Sequence, residues 1–217
     1  MSVSENLDHL TTTYHRTSRK VLRPATETMP ELQEGNEDLR SRAQLAPEAL
    51  ADMGLTPGGY VYKVRTAFAD RIKHVFPIHR GGGRVELRVL GRDGDGTVPG
   101  PLLAEIADAF RIEEGSQSTD VLTVLSAEIV PVVWDVTLVM WRGPDRGAIE
   151  AEAATALAAA AAKLHRINAT HYRLAIGATA KVGPVLTVRI NSPTEDVLGR
   201  PEAAPYVTAI NVSTEVE

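Results

Sequence analysis

Between Arg84 and Leu90 apolar and charged residues alternate: Val85, Leu87 and Val89 on one side, Glu86 and Arg88 on the other. A period of two marks a half-buried strand. The run RIKHVFPI before it reads as a second strand, and the glycines 81 to 83 between them predict a hairpin. Upstream, Thr56 is placed to cap a helix with Pro57 at its first position, and Val61, Val64, Ala67 and Phe68 follow at helical spacing. Before that, EDLRSRAQLAPEALADMG predicts one or two short helices broken at Pro47 and ended by Gly54. After the hairpin, PGPLLAEIADAFRI places Leu102, Leu103, Ile106 and Phe110 on one helical face.

A polar turn from Glu113 to Ser118 leads into a β-rich run from Asp120 to Trp141, whose alternation changes at Pro131. That change predicts two strand segments with a break at the proline. In the second segment Trp134, Val136, Leu138 and Met140 form the more apolar side and are the expected core face. An alanine-rich helix follows, with Pro144 near its start, Asp145 and Glu150 in its opening turns, and Lys163, His165 and Arg166 in its last turn. Ile149, Ala153, Ala156, Ala160 and Leu164 line one face, and side chains this small permit close packing. A shorter helix in THYRLAIGATAKV and two strands, PVLTVRI and PYVTAINVSTEV, close the chain. The fold class expected is α+β: two small sandwich-like units with mostly antiparallel sheets and helices segregated to one face. The expected domains are residues 39–126 and 127–217, preceded by an N-terminal arm over residues 1–38.

The arm rests on the absence of periodicity. Leu10, Val21, Leu22, Met29 and Leu32 are scattered, and the charges fall in blocks. Arg16, Arg19, Lys20 and Arg23 come without an acid; Glu27, Glu31, Glu34, Glu37 and Asp38 come without a base. Such a segment buries too little apolar surface to offset its backbone entropy alone. It is expected to be extended and to order on assembly, with the charge blocks setting register. The net charge of −5 argues against coating nucleic acid by charge, and the lack of cysteine excludes disulfides and thiolate metal sites. The first twenty residues hold no apolar run, so neither a signal peptide nor a membrane anchor is expected.

The candidate chemistry is sparse. Asp93-Gly94-Asp95-Gly96 looks at first like a calcium loop, which would need an oxygen donor at its fifth position, glycine at its sixth and glutamate at its twelfth. Counting from Asp93, those positions hold Thr97, Val98 and Ala104. The loop therefore reads as a turn, with Asp95 or Thr97 capping the next helix. His74 and His79 are expected on opposite faces of a strand, and His165 and His171 in a dipole-facing or exposed turn between helices. Glu113 and Glu114 read as solvated carboxylates, Trp134 as core and Trp141 as a surface or interface residue. No nucleophile elbow, dinucleotide fingerprint or zinc motif is present. Catalytic, cofactor-binding and metal-ligating residues are all expected to be none.

Several weak motifs in a fixed order nevertheless carry a resemblance. QLAPEAL (44–50) precedes the helix PGGYVYKVRTAFADRIKHV. VELRVLGRDGDGTVPGPLLAEIADAF and STDVLTVLSAEIVPVVWDVTLVM follow, and RINSPTEDV and APYVTAINV close the chain. With the Thr119-Asp120 pair leading to the strand Ala127–Pro131, this order resembles the baseplate J-like proteins of contractile-tailed bacteriophages and related injection machines. The resemblance implies a structural protein of the virion tail baseplate, assembled in the bacterial host cytoplasm. Its place would be the baseplate wedge, or inner baseplate ring, where paired copies join a wedge partner subunit (baseplate I-like and sheath-connecting proteins). That ring connects the central hub to the sheath and rearranges on contraction. The resemblance carries over no catalytic residue, no cofactor, and neither a nucleic-acid nor a membrane partner. The chain departs from the family pattern in two places. Only the polar arm stands before LAPEAL, where longer members have a further region, and EEGSQ (113–117) replaces an arginine-proline stretch. Two other function classes remain open at this level: a small enzyme using the Asp93 and Asp95 loop, and a tail completion or adaptor protein.

Overall fold

The computed structural model describes residues 3–26, 29–49, 56–111, 121–143 and 145–217. The chain divides into two compact units, Met1–Ala127 and Glu128–Glu217.

The first unit is built around a three-stranded sheet of order β3-β4-β5, comprising β3 (Ile72–Gly81), β4 (Arg84–Gly91) and β5 (Val121–Ser126). β3 and β4 form the expected hairpin, with His79 opposite Val85 and Gly81 opposite Arg84. Gly81, Gly82 and Gly83 all have positive φ (79°, 57° and 69°), a run that L-residues rarely sustain. β4 buries Val85, Leu87 and Val89, the residues its alternation selects. β5 pairs with β4 in parallel, which requires a crossing connection, and α4 (Gly100–Arg111) lies in it.

α3 (Pro57–Ala67) begins as its sequence predicts: the Thr56 side chain accepts from the Gly59 amide, and Pro57 takes the first turn. Tyr60, Val64 and Phe68 pack with Ile72, Leu87, Val89 and Ile106 in one core. Each fully buried large apolar side chain here contributes about 1.5–3 kcal/mol of transfer free energy.

Residues 1–38 are not extended throughout. They contain α1 (Val3–His15) and a ribbon of β1 (Val21–Arg23) with β2 (Leu32–Gln33), and α2 (Asn36–Ala49) starts within the expected arm. The physical reason is that charged residues of each block find partners elsewhere in the chain. Glu34 and Arg42 are 4% and 1% exposed, and they meet through Nε–Oε1 at 3.0 Å and Nη2–Oε2 at 2.7 Å. Arg42 also donates to the Ser18 carbonyl at 2.6 Å. Arg19 joins Asp8 of α1 at 2.6 Å and Asn36 at 2.8 Å. Ion pairing thus supplies the order that apolar surface does not. α2 also continues past Pro47 to Ala49. Gly54, expected to end this region, lies outside the described residues, as do Glu113, Glu114, Thr119, Asp120 and Pro144.

The second unit is a two-layer α/β arrangement. Its sheet has the order β7-β6-β8, from β6 (Glu128–Met140), β7 (Val185–Ser192) and β8 (Ala203–Val216). α5 (Arg146–Leu164) and α6 (Arg173–Ala180) cover one face. Trp134, Val136, Leu138 and Met140 point into that layer, against Ile149, Ala153 and Leu157 of α5 and Ile176 and Ala180 of α6. Asp145 caps α5 by accepting from Gly147 and Ala148. β6 runs antiparallel to β7 and parallel to β8, so each main sheet combines one antiparallel and one parallel pairing.

The break between β5 and β6 falls at Ala127, and Pro131 lies inside β6. The Thr208 hydroxyl reaches the Val132 carbonyl from the β8 side, and the Ser192 hydroxyl reaches the Val133 carbonyl from the β7 side. Odd-numbered β6 residues therefore face β7. Pairing with β7 starts only at Asp135, so the nitrogen of Pro131 faces an unpaired stretch and costs no ladder hydrogen bond.

Candidate interaction surfaces

The Asp93–Gly96 segment is a closed turn. The Gly96 amide donates to the Asp93 carbonyl at 3.1 Å, and the Gly91 amide donates to the Gly96 carbonyl at 2.7 Å. Gly94 and Gly96 have φ of 59° and 90°. Asp95 spends one carboxylate oxygen on the Thr97 amide at 2.9 Å. Neither Asp95 nor Thr97 caps α4, which begins only at Gly100, with the Leu102 and Leu103 amides bonded to the Pro99 carbonyl. The extra residues after the turn, through Val98 and Pro99, separate it from the helix. Among the described residues, no group of three or more histidine and acidic side chains is placed to hold a metal ion.

Other carboxylates are taken up by arginines. Glu86 lies between Arg80 and Arg88 on the outer face of the first sheet, and hydrogen bonding from Arg80 lowers its pKa, with Arg88 adding to the effect. Arg71 grips Glu105 of α4 through two contacts of 2.6 and 2.8 Å, which raises the arginine pKa and lowers the glutamate's. Arg65 bonds Asp38 at 3.1 Å, and burial still pushes the guanidinium below its ordinary value. These pairs tie elements together.

The histidines divide differently from expectation. His74 and His79 lie on β3 as predicted and His165 caps the C-terminus of α5, where the dipole favours it, but both His165 and His171 are buried, at 8% and 0%. His165 packs on the Tyr206 ring at 5.1 Å, and His171 meets the Trp134 ring edge-on at 5.3 Å. Backbone hydrogen bonds of 2.9 and 3.1 Å between His171 and Val197 tie the 193–202 loop to this position. Burial lowers the His171 pKa, and the Leu164 carbonyl nearby offsets this only in part. Neither ring nitrogen has a hydrogen bond of normal geometry, nor does Trp134 Nε1. Sequence spacing could not reveal this, because it depends on where the loop returns.

Two kinds of accessible surface remain. In the first unit a cavity of about 350 Å³ is walled by Tyr62, Val64, Ala67, Phe68, Ala109 and Phe110, with Lys20 and Lys63 beside it. It holds no carboxylate or histidine in its wall and so lacks an acid–base pair. In the second unit the sheet face opposite the helices is polar. Asn191 of β7 donates to Asp135 and Thr137 of β6 at 2.7 and 3.0 Å, Thr137 meets Ser213 of β8 at 3.2 Å, and Arg189 pairs with Glu215. Exposed apolar side chains sit elsewhere on this unit, including Trp141 at 59% and Leu174 at 85%.

No family model matches the chain. A comparison with curated proteins finds it 29% identical to "Baseplate protein J" of Escherichia phage P2, over 98% of this chain and 71% of the relative. The chain is thus similar to a phage baseplate protein J along nearly its whole length. The similarity spans both units of the chain, including the N-terminal segment that its sequence alone marked as an arm.

Proposed function

We propose that this chain is a structural component of a phage tail baseplate, with no enzymatic activity. The observation that carries the reading is the similarity to a phage baseplate protein along nearly the whole chain. The Asp93 and Asp95 turn, the basis of the enzyme alternative, has its backbone closed on itself and one carboxylate committed to Thr97, which favours the structural reading.

In finer terms the protein occupies the baseplate wedge, in the inner ring, with other copies of itself and with wedge partner subunits. There it links the hub, neighbouring wedges and the sheath, and rearranges on contraction. It functions in the virion tail and is assembled in the host cytoplasm. Two units with separate cores, each leaving a sheet edge or face uncovered by its own helices, suit a part that must touch several neighbours.

Affinity purification of the tagged chain from producing cells tests this. The expected result is recovery of other baseplate subunits, unchanged by Asp93→Ala and Asp95→Ala together. Recovery of no tail protein would overturn the reading.

A further inference from the structure

β8 is 14 residues long and lies at the edge of the second unit's sheet, with β6 as its only strand partner among the described residues. Its free side can be assigned. The Glu217 amide donates to the Met140 carbonyl of β6, so odd-numbered residues of the strand end face β6. Beyond the irregularity after Val207, where β8 carries one extra residue, the strand runs regularly from Ala209 to Val216. Ile210, Val212, Thr214 and Val216 therefore turn both backbone N–H and C=O outward. Among the described residues no backbone group meets them.

Free strand edges recruit other strands, and proteins usually blunt them with proline or charge. The other long edges are treated that way. β3 carries Pro77 at its centre, with Lys73 and Arg80 toward its ends. β7 carries Arg189 and is flanked by Pro184 and Pro193. β5 is neutral but spans only six residues. From Ala209 to Thr214 β8 has no proline and no charge, and its residues are largely β-branched or small.

We infer that β8 pairs antiparallel with β8 of a second copy, about a two-fold axis centred beside Val212 and perpendicular to the sheet. The segment is self-complementary in that register. Asn211 falls opposite Ser213, Ile210 opposite Thr214, and Ala209 opposite Glu215, so no like charges meet. A perpendicular axis keeps both helix layers on one side and joins the polar faces into one surface of six strands, β7-β6-β8-β8-β6-β7. The outward amides then find carbonyl partners in the other chain. This deepens the baseplate reading by naming the surface through which copies join.

The test is the molar mass of the purified full chain by light scattering or sedimentation. Wild type is expected at twice the 23.4 kDa of one chain. Val212→Pro removes an outward N–H without touching a β6–β8 hydrogen bond, and should give the single-chain mass with an unchanged circular dichroism spectrum. Because Val212 also packs partly in the core, a second pair of variants guards against misfolding. Asn211→Lys with Ser213→Lys sets lysine against lysine and should dissociate the pair; Asn211→Lys with Ser213→Glu sets lysine against glutamate and should restore it. A monomeric wild type overturns the inference, including one whose β8 amides become protected only within purified tails. So does a charge-swapped variant that stays monomeric. A β8-dependent dimer that recovers no tail protein from cells would sink the baseplate reading and leave this inference standing.

Discussion

His171 is fully buried against Trp134, and burial lowers its pKa. The folded protein thus resists the proton that an unfolded chain accepts below about pH 6.5. The associated stability is fully present above that pH and declines as the pH falls through it, because only the unfolded state then gains protons. Melting temperature should drop between pH 7.5 and 5.5, and His171→Phe should flatten that dependence. An equal drop in the variant would remove His171 as its source. Two glycines separate conformational from steric demands. Gly94 has φ of 59° with open space around it, so Gly94→Ala should cost about 1 kcal/mol, the ordinary penalty of a left-handed residue. At Gly199 an added Cβ would come within 2.3 Å of the Asn168 carbonyl oxygen, so Gly199→Ala forces the backbone apart. Chemical denaturation should rank Gly199→Ala as the more damaging.

The elements of the chain were legible wherever local chemistry decides them. Thr56 with Pro57 starts α3, the alternation around Glu86 and Arg88 gives β4, the glycine run gives the hairpin, and Asp145 caps α5. What sequence could not show depends on partners distant along the chain. Pro131 sits within a strand because β6 pairs with β7 only from Asp135 onward, and His171 lies where the returning 193–202 loop bridges it at Val197. The segment before residue 38 lacks apolar periodicity because Glu34 and Arg42 hold it, together with Arg19 and Asp8. That last case carries a prediction. Removing one member of a buried ion pair costs about 3–5 kcal/mol, since the other charge is stranded. Arg42→Ala should therefore expose residues 16–36 to rapid proteolysis, while the wild-type chain is cut there slowly even in isolation. Rapid cutting of the isolated wild type would restore the idea of an arm ordered only on assembly. The turn at Asp93 was equally legible, because the ligand spacing of a calcium loop fails on sequence alone. The polar ladder from Asn191 to Ser213 was not, because it joins three strands.

At the scale of the whole molecule, each unit carries its own core, and residues 128–217 include both helices and all three strands of theirs. Expressed alone, that segment should melt cooperatively and keep its secondary structure; a noncooperative, unfolded spectrum would show that its core needs the first unit. Two separately cored units with exposed sheet edges suit the proposed role of a part that holds neighbours. The most direct measurement is the location of the chain in the intact particle, by electron microscopy of tails bearing a labelled copy. Density for the label at the baseplate end of the tail, repeated around its axis, is the predicted result. Tails that contain every other baseplate protein but carry no label would contradict the account.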